Sequence, residues 1–228
     1  MKLLSKNNAK LLKGEKLGFL TLGLSLAPHT MSGVNLCPHA SAGCAAACLF
    51  SAGMGAFSNV KEARLAKAKF FNANQPEFLA KLEKEIAAGI KRAAKNGQKL
   101  AVRLNVLSDV AWERLGIIQK FPNVNFYDYT KSPLRALQFA NSRMPANYHL
   151  TFSRSEDNQQ AVECVIDAGV NVAVVFAGKT LPQTYLGKPV VNGDESDLRF
   201  LDAKNVIVGL SSKGKAKKDK SGFVVNVN

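Results

Sequence analysis

The stretch Val124-Asn-Phe-Tyr-Asp128-Tyr-Thr130-Lys131-Ser132-Pro133 shows the folding rule of the whole chain in ten residues. Its first seven positions are rich in β-branched and aromatic side chains, which suit a pleated strand. Ser132-Pro133 then opens a helix, because serine caps orphan backbone N–H groups and proline is tolerated at the first helical position. The same strand-then-helix pattern recurs on both sides. Upstream, Leu100–Val106 reads as a strand, with Ser108 or Asp109 capping a helix that runs to about Lys120. Before it lies a helical region from Val60 to Asn96. Its second half opens at Asn74-Gln-Pro-Glu77 and is apolar at Phe78, Leu79, Leu82, Ile86 and Ile90. Residues 17–26 read as the first strand or a hairpin. Downstream, Tyr148–Ser153, Val170–Phe176, Pro189–Asn192 and Val206–Leu210 read as strands. A helix opens at Ser155-Glu-Asp and closes at Gly169, and a short helix or turn covers Glu195–Asp202. Strands alternating with helices predict an α/β fold with a parallel sheet and right-handed crossovers. The count predicts a (β/α) TIM-like or partial barrel of about six parallel strands, with a doubly wound open sheet as the alternative.

Strands of such a sheet are usually apolar on both faces. Here Arg103 and Asn105, then Asp128 and Thr130, then His149, Thr151 and Ser153 interleave with apolar neighbours. The expectation is one polar face lining the barrel lumen. Bare buried polar groups cost about 1–3 kcal/mol each, so a site there would account for them. Internal hydrogen bonds without a ligand are the alternative.

The chain has 228 residues, which suits a single domain over 1–228 that buries its own core. Lys and Arg number 31 against 17 Asp and Glu, a formal charge of +14. A polyanion is the simplest partner for such an excess, and nucleic acid (DNA ahead of RNA) is the expected one. No apolar run approaches the ~20 residues of a membrane span, and the first ten residues do not form a signal peptide. A cytoplasmic location is therefore expected, where thiols stay reduced.

That location matters for residues 27–59, a long loop rich in Gly, Ser, Ala and Pro. It contains Cys37, Cys44 and Cys48 in the spacing C-x6-C-x3-C. In a reducing compartment such a cluster points to a metal rather than a disulfide. Three thiolates would leave one iron of an iron–sulfur cluster open, while zinc would need a fourth ligand such as His39, His29 or water. Three buried thiols without a metal are the alternative. Cys164, beside Val165 and Ile166, is expected in the core. Residues 211–222 form a flexible basic segment whose Lys213, Lys215, Lys217, Lys218 and Lys220 are expected to contact phosphates. Neither a P-loop nor a zinc-deaminase motif is present.

The order of motifs resembles a group of bacteriophage proteins with a three-cysteine motif, similar in pattern to the radical S-adenosylmethionine barrel superfamily. The resemblance rests on Ser32-Gly-Val-Asn-Leu-Cys37-Pro through Cys48-Leu, on Arg103-Leu-Asn105-Val-Leu-Ser108-Asp109 and on Tyr127-Asp128-Tyr129-Thr130-Lys131. It also uses Asn171–Phe176 and Asn192-Gly-Asp194 through Asp202. It implies a cysteine loop after the first strand of a six-stranded partial barrel, an iron–sulfur cluster, and use of S-adenosylmethionine. The superfamily's usual spacing is C-x3-C-x2-C, so the loop here departs from it. A weaker resemblance is to phage relatives of tRNA-guanine transglycosylase that insert 7-deazaguanines into DNA. It implies a zinc site and catalytic aspartates at strand ends, where Asp109, Asp128 and Asp194 fall.

The expected activity is nucleic-acid base modification at a Cys-ligated metal centre, iron–sulfur ahead of zinc. A zinc-containing transglycosylase and a non-enzymatic nucleic-acid-binding protein with a structural metal are the alternatives. In the enzyme, an aspartate among Asp109, Asp128 and Asp194 would be base or nucleophile. Arg103 and Lys131 would hold a phosphate or carboxylate, with Asn105 beside them.

Overall fold

The computed structural model describes residues 1–6 and 13–227. Among the described residues nine strands form an open sheet: β1 (Leu4–Ser5), β2 (Phe19–Leu24), β3 (Lys99–Arg103), β4 (Asn125–Thr130), β5 (Tyr148–Ser153), β6 (Val172–Phe176), β7 (Thr184–Tyr185), β8 (Lys188–Asn192) and β9 (Ile207–Ser211). Their spatial order is β1-β2-β3-β4-β5-β6-β9-β8-β7. All neighbours from β2 to β8 pair parallel, and only the short edge strands β1 and β7 run antiparallel. The sheet is not closed, so the expected TIM-like closure gives way to an open sheet of nine strands. From β2 to β6 each connection steps to the next strand in one direction, and β9 follows. With right-handed crossovers this winding puts the connections from β2 to β6 on one face, and the step from β8 back to β9 reverses direction, so its segment lies on the other face. Among the described residues no helix is long and apolar enough to cross a membrane.

The helices are α1 (Ala42–Ala46), α2 (Ser58–Ala73), α3 (Gln75–Lys95), α4 (Pro133–Ala140) and α5 (Gln159–Asp167). Local chemistry explains where they start. The Asn74 side chain accepts a hydrogen bond from Glu77 N and donates one back to its carboxylate, so α2 stops and α3 begins there. Ser132 accepts from Arg135 N at the start of α4, with Pro133 inside the first turn. The α3 residues Phe78, Leu82 and Ile86 lie on one helical stripe and are fully buried with Leu22, Leu100 and Trp112. Truncating Phe78 to alanine would cost about 3–5 kcal/mol.

Register, not composition, decides which side chains share a face. Tyr127 lies opposite His149 and Tyr129 opposite Thr151, while Asp128 lies opposite Leu150. Val102 pairs with Phe126, which sets Arg103 beside Tyr127. The polar residues of β4 and β5 therefore lie on opposite faces, contrary to the single polar face expected. Arg103, His149, Thr151 and Ser153 share a face with the tyrosines, whereas Asp128 and Thr130 turn toward the helices.

The face without helices is covered by the segment between β8 and β9. Phe200 packs against Phe19 and Tyr127, and Leu198 is buried beside Ala101 and Tyr127. Asp197 accepts from Arg103 Nη1 at 3.0 Å on both oxygens and from Tyr127 Oη at 3.3 Å. A Cβ on Gly14 would fall 2.6 Å from Thr21 Cγ2, so the turn Lys13–Leu17 approaches β2 closely enough to require glycine.

Three further expectations are corrected. The helix expected after Ser108 shrinks to the 3-10 turn Trp112–Leu115, closed by Gly116 at φ 73°. Asp109 caps nothing there because its carboxylate is bonded elsewhere. Cys164 is exposed, since α5 turns Val162, Val165 and Ile166 inward and leaves position 164 outside. The basic segment is anchored rather than loose. Gly214–Lys218 is a 3-10 turn with Ala216 buried against Ala47 and Val224, and Val225 exchanges backbone hydrogen bonds with Val175 and Ala177. Val225, just beyond the segment, takes the β6 edge above Ala173, where pairing with β5 has ended.

Candidate functional site

The cysteine loop leaves the end of β2 and spreads over the carboxyl ends of the parallel strands. Buried Leu36 anchors it, its carbonyl accepting from Asp109 N at 2.8 Å. Cys37 donates to the Leu107 carbonyl at 3.4 Å. Ser41 caps α1 by accepting from Cys44 N, and Glu156 pins that same turn. It accepts from Ser41 Oγ at 2.7 Å and from Gly43 N at 2.6 Å. A Cβ on Gly43 would meet Ser221 Oγ and the Glu156 carboxylate, so a side chain there would have to push those groups out of their present contact with the turn. Arg154, two residues before Glu156, donates to the carbonyls of Gly222 and Phe223. The end of β5 thereby holds both the cysteine loop and the basic segment.

Cys37, Cys44 and Cys48 lie in one another's electrostatic field. Burial pushes the Cys37 thiol up to about 11, against a hydrogen bond from the His29 backbone that favours the thiolate. The charges of Cys48, Asp109 and Cys44 push it further up. Burial also raises Cys48, opposed by its hydrogen bond to the Phe50 backbone and by the positive Arg64 and Lys131. Both thiols are therefore neutral near pH 7 unless a cation compensates them. Among the described residues no three His, Cys, Asp or Glu side chains stand in a metal-holding arrangement. His39 is exposed and points to a neighbouring cavity. That cavity, of about 510 Å³, is lined by Leu36, His39, Phe71, Asp109, Arg114 and Leu134 among others.

Asp109 belongs to a buried network. Its Oδ2 accepts from Thr130 Oγ1 at 3.1 Å and from Lys131 N at 2.8 Å, and its Oδ1 from Arg135 Nη1 at 2.6 Å. Arg135 is 4% exposed and spends its other N–H groups on Glu113, Thr130 and Tyr148. Asp128, fully buried, accepts from Asn105 N at 2.6 Å and from Tyr148 Oη at 2.9 Å. Desolvation pushes its carboxyl up to about 7, although those hydrogen bonds and the charges of Arg103 and Arg135 pull it down. Asn105 in turn accepts from Ser108 Oγ, Val110 N and Trp112 Nε1.

The expected site residues thus separate. Cys37, Cys44, Cys48, Asp109 and Lys131 gather over the strand ends. Asp128 and Asn105 lie beneath them on the helix-covered face, joined to Asp109 through Tyr148 and Arg135. Arg103 is on the opposite face with Asp197, and the neighbouring carboxylate keeps its guanidinium strongly protonated despite burial. Asp194 sits near the far edge, accepting from Ser211 N at 3.0 Å and from Lys213 Nζ at 2.6 Å. An aspartate acting as a nucleophile would first have to leave these partners. Lys131 Nζ lies 5.6 Å from the Phe223 ring centroid, which brings it against the basic segment. Arg135, Glu113, Tyr148, Asp197 and Glu156 were not legible as site residues. The one available signal was Arg135, a charge on the buried stripe of a short helix.

No curated protein and no solved structure was found to match the chain. The sequence profile described as gene product 88 matches residues 2–227, almost the whole length. The chain therefore belongs to the gene product 88 family of phage proteins.

Proposed function

We propose that the protein acts on nucleic acid and that Cys37, Cys44 and Cys48 form a thiol centre that takes up a metal, iron–sulfur ahead of zinc. The observation that carries this reading is the gathering of three cysteines in one field over the carboxyl ends of parallel strands. The donor set fits a soft metal by chemistry, because buried neutral thiols become thiolates when a cation replaces their protons. The loop would tighten around the ion, as the thiols are neighbours but not yet arranged as ligands. A cluster held by three cysteines supplies an open iron for a ligand such as S-adenosylmethionine, and zinc supplies a Lewis acid.

The chain's own residues do the rest. Glu156 fixes the turn that carries Cys44, and Asp109 fixes the backbone of Lys131 and the Arg135 side chain. Lys131 and the lysines of the basic segment supply positive charge for phosphates. A second reading is a binding protein with a structural metal. It is favoured by the covered inner face, where Arg103 and Tyr127 are already bonded to Asp197.

Anaerobic purification with metal analysis and a visible absorption spectrum tests the centre. Each of Cys37→Ala, Cys44→Ala and Cys48→Ala should lower the metal content, while Cys164→Ala should leave it intact. A metal-free wild-type protein, or full occupancy in the triple variant, would overturn the proposal. A cluster spectrum separates iron–sulfur from zinc, and activity toward DNA bases separates the enzyme from the binding protein.

A further inference from the structure

The chain keeps most large apolar side chains inside, yet Leu49, Met54 and Phe57 are 48%, 66% and 56% exposed. All three follow Cys48 closely. Leu49 belongs to the 3-10 turn Leu49–Ser51 and Met54 to the turn Gly53–Ala56, with Phe57 at the entrance to α2. Their neighbour Phe50 turns inward under the Arg64 guanidinium, and Arg64 Nη1 donates to the Phe50 carbonyl at 2.5 Å. The lip is thus fastened from below while its apolar tips face outward.

The turn Leu49–Ser51 packs against the lysine-rich turn Gly214–Lys218, and a Cβ on Gly214 would fall 3.0 Å from Ala52 Cβ. The segment 211–222 carries five lysines and one aspartate. Lys215, Lys217, Lys218 and Lys220 are exposed, and Lys131 adjoins the same segment through Phe223. An apolar lip beside a cationic ridge, next to Cys48, matches the chemistry of a nucleic-acid duplex. Phosphates meet lysines, and Phe, Met and Leu side chains enter between bases that they unstack.

We propose that Leu49, Met54 and Phe57 form a wedge that unstacks a base of duplex DNA held by Lys215, Lys217, Lys218 and Lys220. This inference rests on the nucleic-acid reading above and adds the mode of engagement. A base buried in a stack is out of reach of a side-chain or metal centre, so unstacking beside Cys48 would be the step that exposes it.

The test uses full-length protein and DNA duplexes carrying 2-aminopurine, whose fluorescence rises on unstacking, at about 50 mM and about 200 mM salt. Wild-type protein should bind and raise the fluorescence severalfold. Met54→Ala/Phe57→Ala should bind within about 3-fold of wild type but lose most of the rise, since the phosphate contacts remain. Changing the four lysines to glutamine should lower the salt slope by about 3 to 4. Duplex binding without a fluorescence rise, or a rise that survives Met54→Ala/Phe57→Ala, overturns the wedge and leaves the nucleic-acid reading standing. No binding to DNA or RNA at the lower salt overturns that reading and the wedge with it. Binding to anionic vesicles in place of DNA, lost in Met54→Ala/Phe57→Ala, would make the lip a membrane contact and also overturns the wedge. Circular dichroism of each variant shows that it is folded.

Discussion

Arg135 Nη1 stands 2.6 Å from Asp109 Oδ1, and this pair joins the start of α4 to the segment between β3 and β4, whose Asp109 N in turn holds the Leu36 carbonyl of the cysteine loop. The guanidinium is nearly solvent-free, and Glu113 holds its other side at 2.8 Å and 2.9 Å. A charge so placed raises the stakes of its partners. With both carboxylates present, all are satisfied; remove the arginine and two acids are left with little water and no cation.

Arg135→Met should therefore destabilise the protein by about 3–5 kcal/mol, the usual cost of breaking a buried ion pair from one side. Arg135→Lys should lie between, because lysine restores the charge but not the fork geometry that serves Glu113 and Asp109 together. Urea denaturation measures both. A loss below about 1 kcal/mol for Arg135→Met would mean that the network does not hold the loop.

The buried Asp128 carboxyl makes stability depend on pH. Its folded value is raised to about 7 from an ordinary 3.8, mainly by desolvation. The folded state therefore holds this proton more tightly than the unfolded state. The stabilising contribution is complete below about pH 4 and is lost as pH rises through about 7. Asp128→Asn removes the titration. The stability of wild type minus that of Asp128→Asn should be more favourable at pH 5 than at pH 8, with acid-linked effects of other groups cancelling in the difference. A difference that stays constant over that interval would refute the assignment.

Thiol reactivity should rank by burial. Cys164 is exposed on α5, while Cys37 is buried and its thiol is pushed up to about 11. At pH 7.5 iodoacetamide should label Cys164 at least tenfold faster than Cys37 in metal-free protein, as the thiolate is the nucleophile. Peptide mass spectrometry over time gives the two rates, and equal rates would contradict the burial of Cys37.

Glu156 ties the cysteine loop to the end of β5 through two hydrogen bonds. Hydrogen bonds to a charged group contribute about 1.5–3 kcal/mol each, so Glu156→Ala should free the turn around Gly43. Limited proteolysis should then cut within residues 41–57 several times faster, with the sheet core still protected. Unchanged cleavage would show that the turn is held by other contacts.

Much of the architecture follows from local rules and needs no tertiary information. Asn74-Gln-Pro-Glu77 and Ser132-Pro133 mark helix starts because their side chains satisfy N–H groups a few residues away. The strand over Tyr148–Ser153 was legible to the residue, since its alternation is a property of consecutive positions. The three cysteines stand out as a pattern within twelve residues, but spacing alone does not arrange them as ligands, and no such arrangement is present among the described residues.

What the chain alone could not decide is which face met which. Asp128 and His149 look alike as polar residues between apolar ones, but the pairing of Tyr127 with His149 puts them on opposite sides of the sheet. Register depends on contacts between segments twenty residues apart, and a shift of one residue exchanges the faces. The same holds for Asp109, read as a helix cap until Arg135, twenty-six positions later, claims its carboxylate. It holds too for Cys164, whose side of α5 is set by what the helix packs against. Local sequence determined most of the elements and their order, though not the short edge strands β1 and β7 or the loss of the helix after Ser108. The tertiary structure determined the partners of Arg103 and Arg135, because each of these buried charges is satisfied by a distant residue that the fold brings within about 3 Å of it.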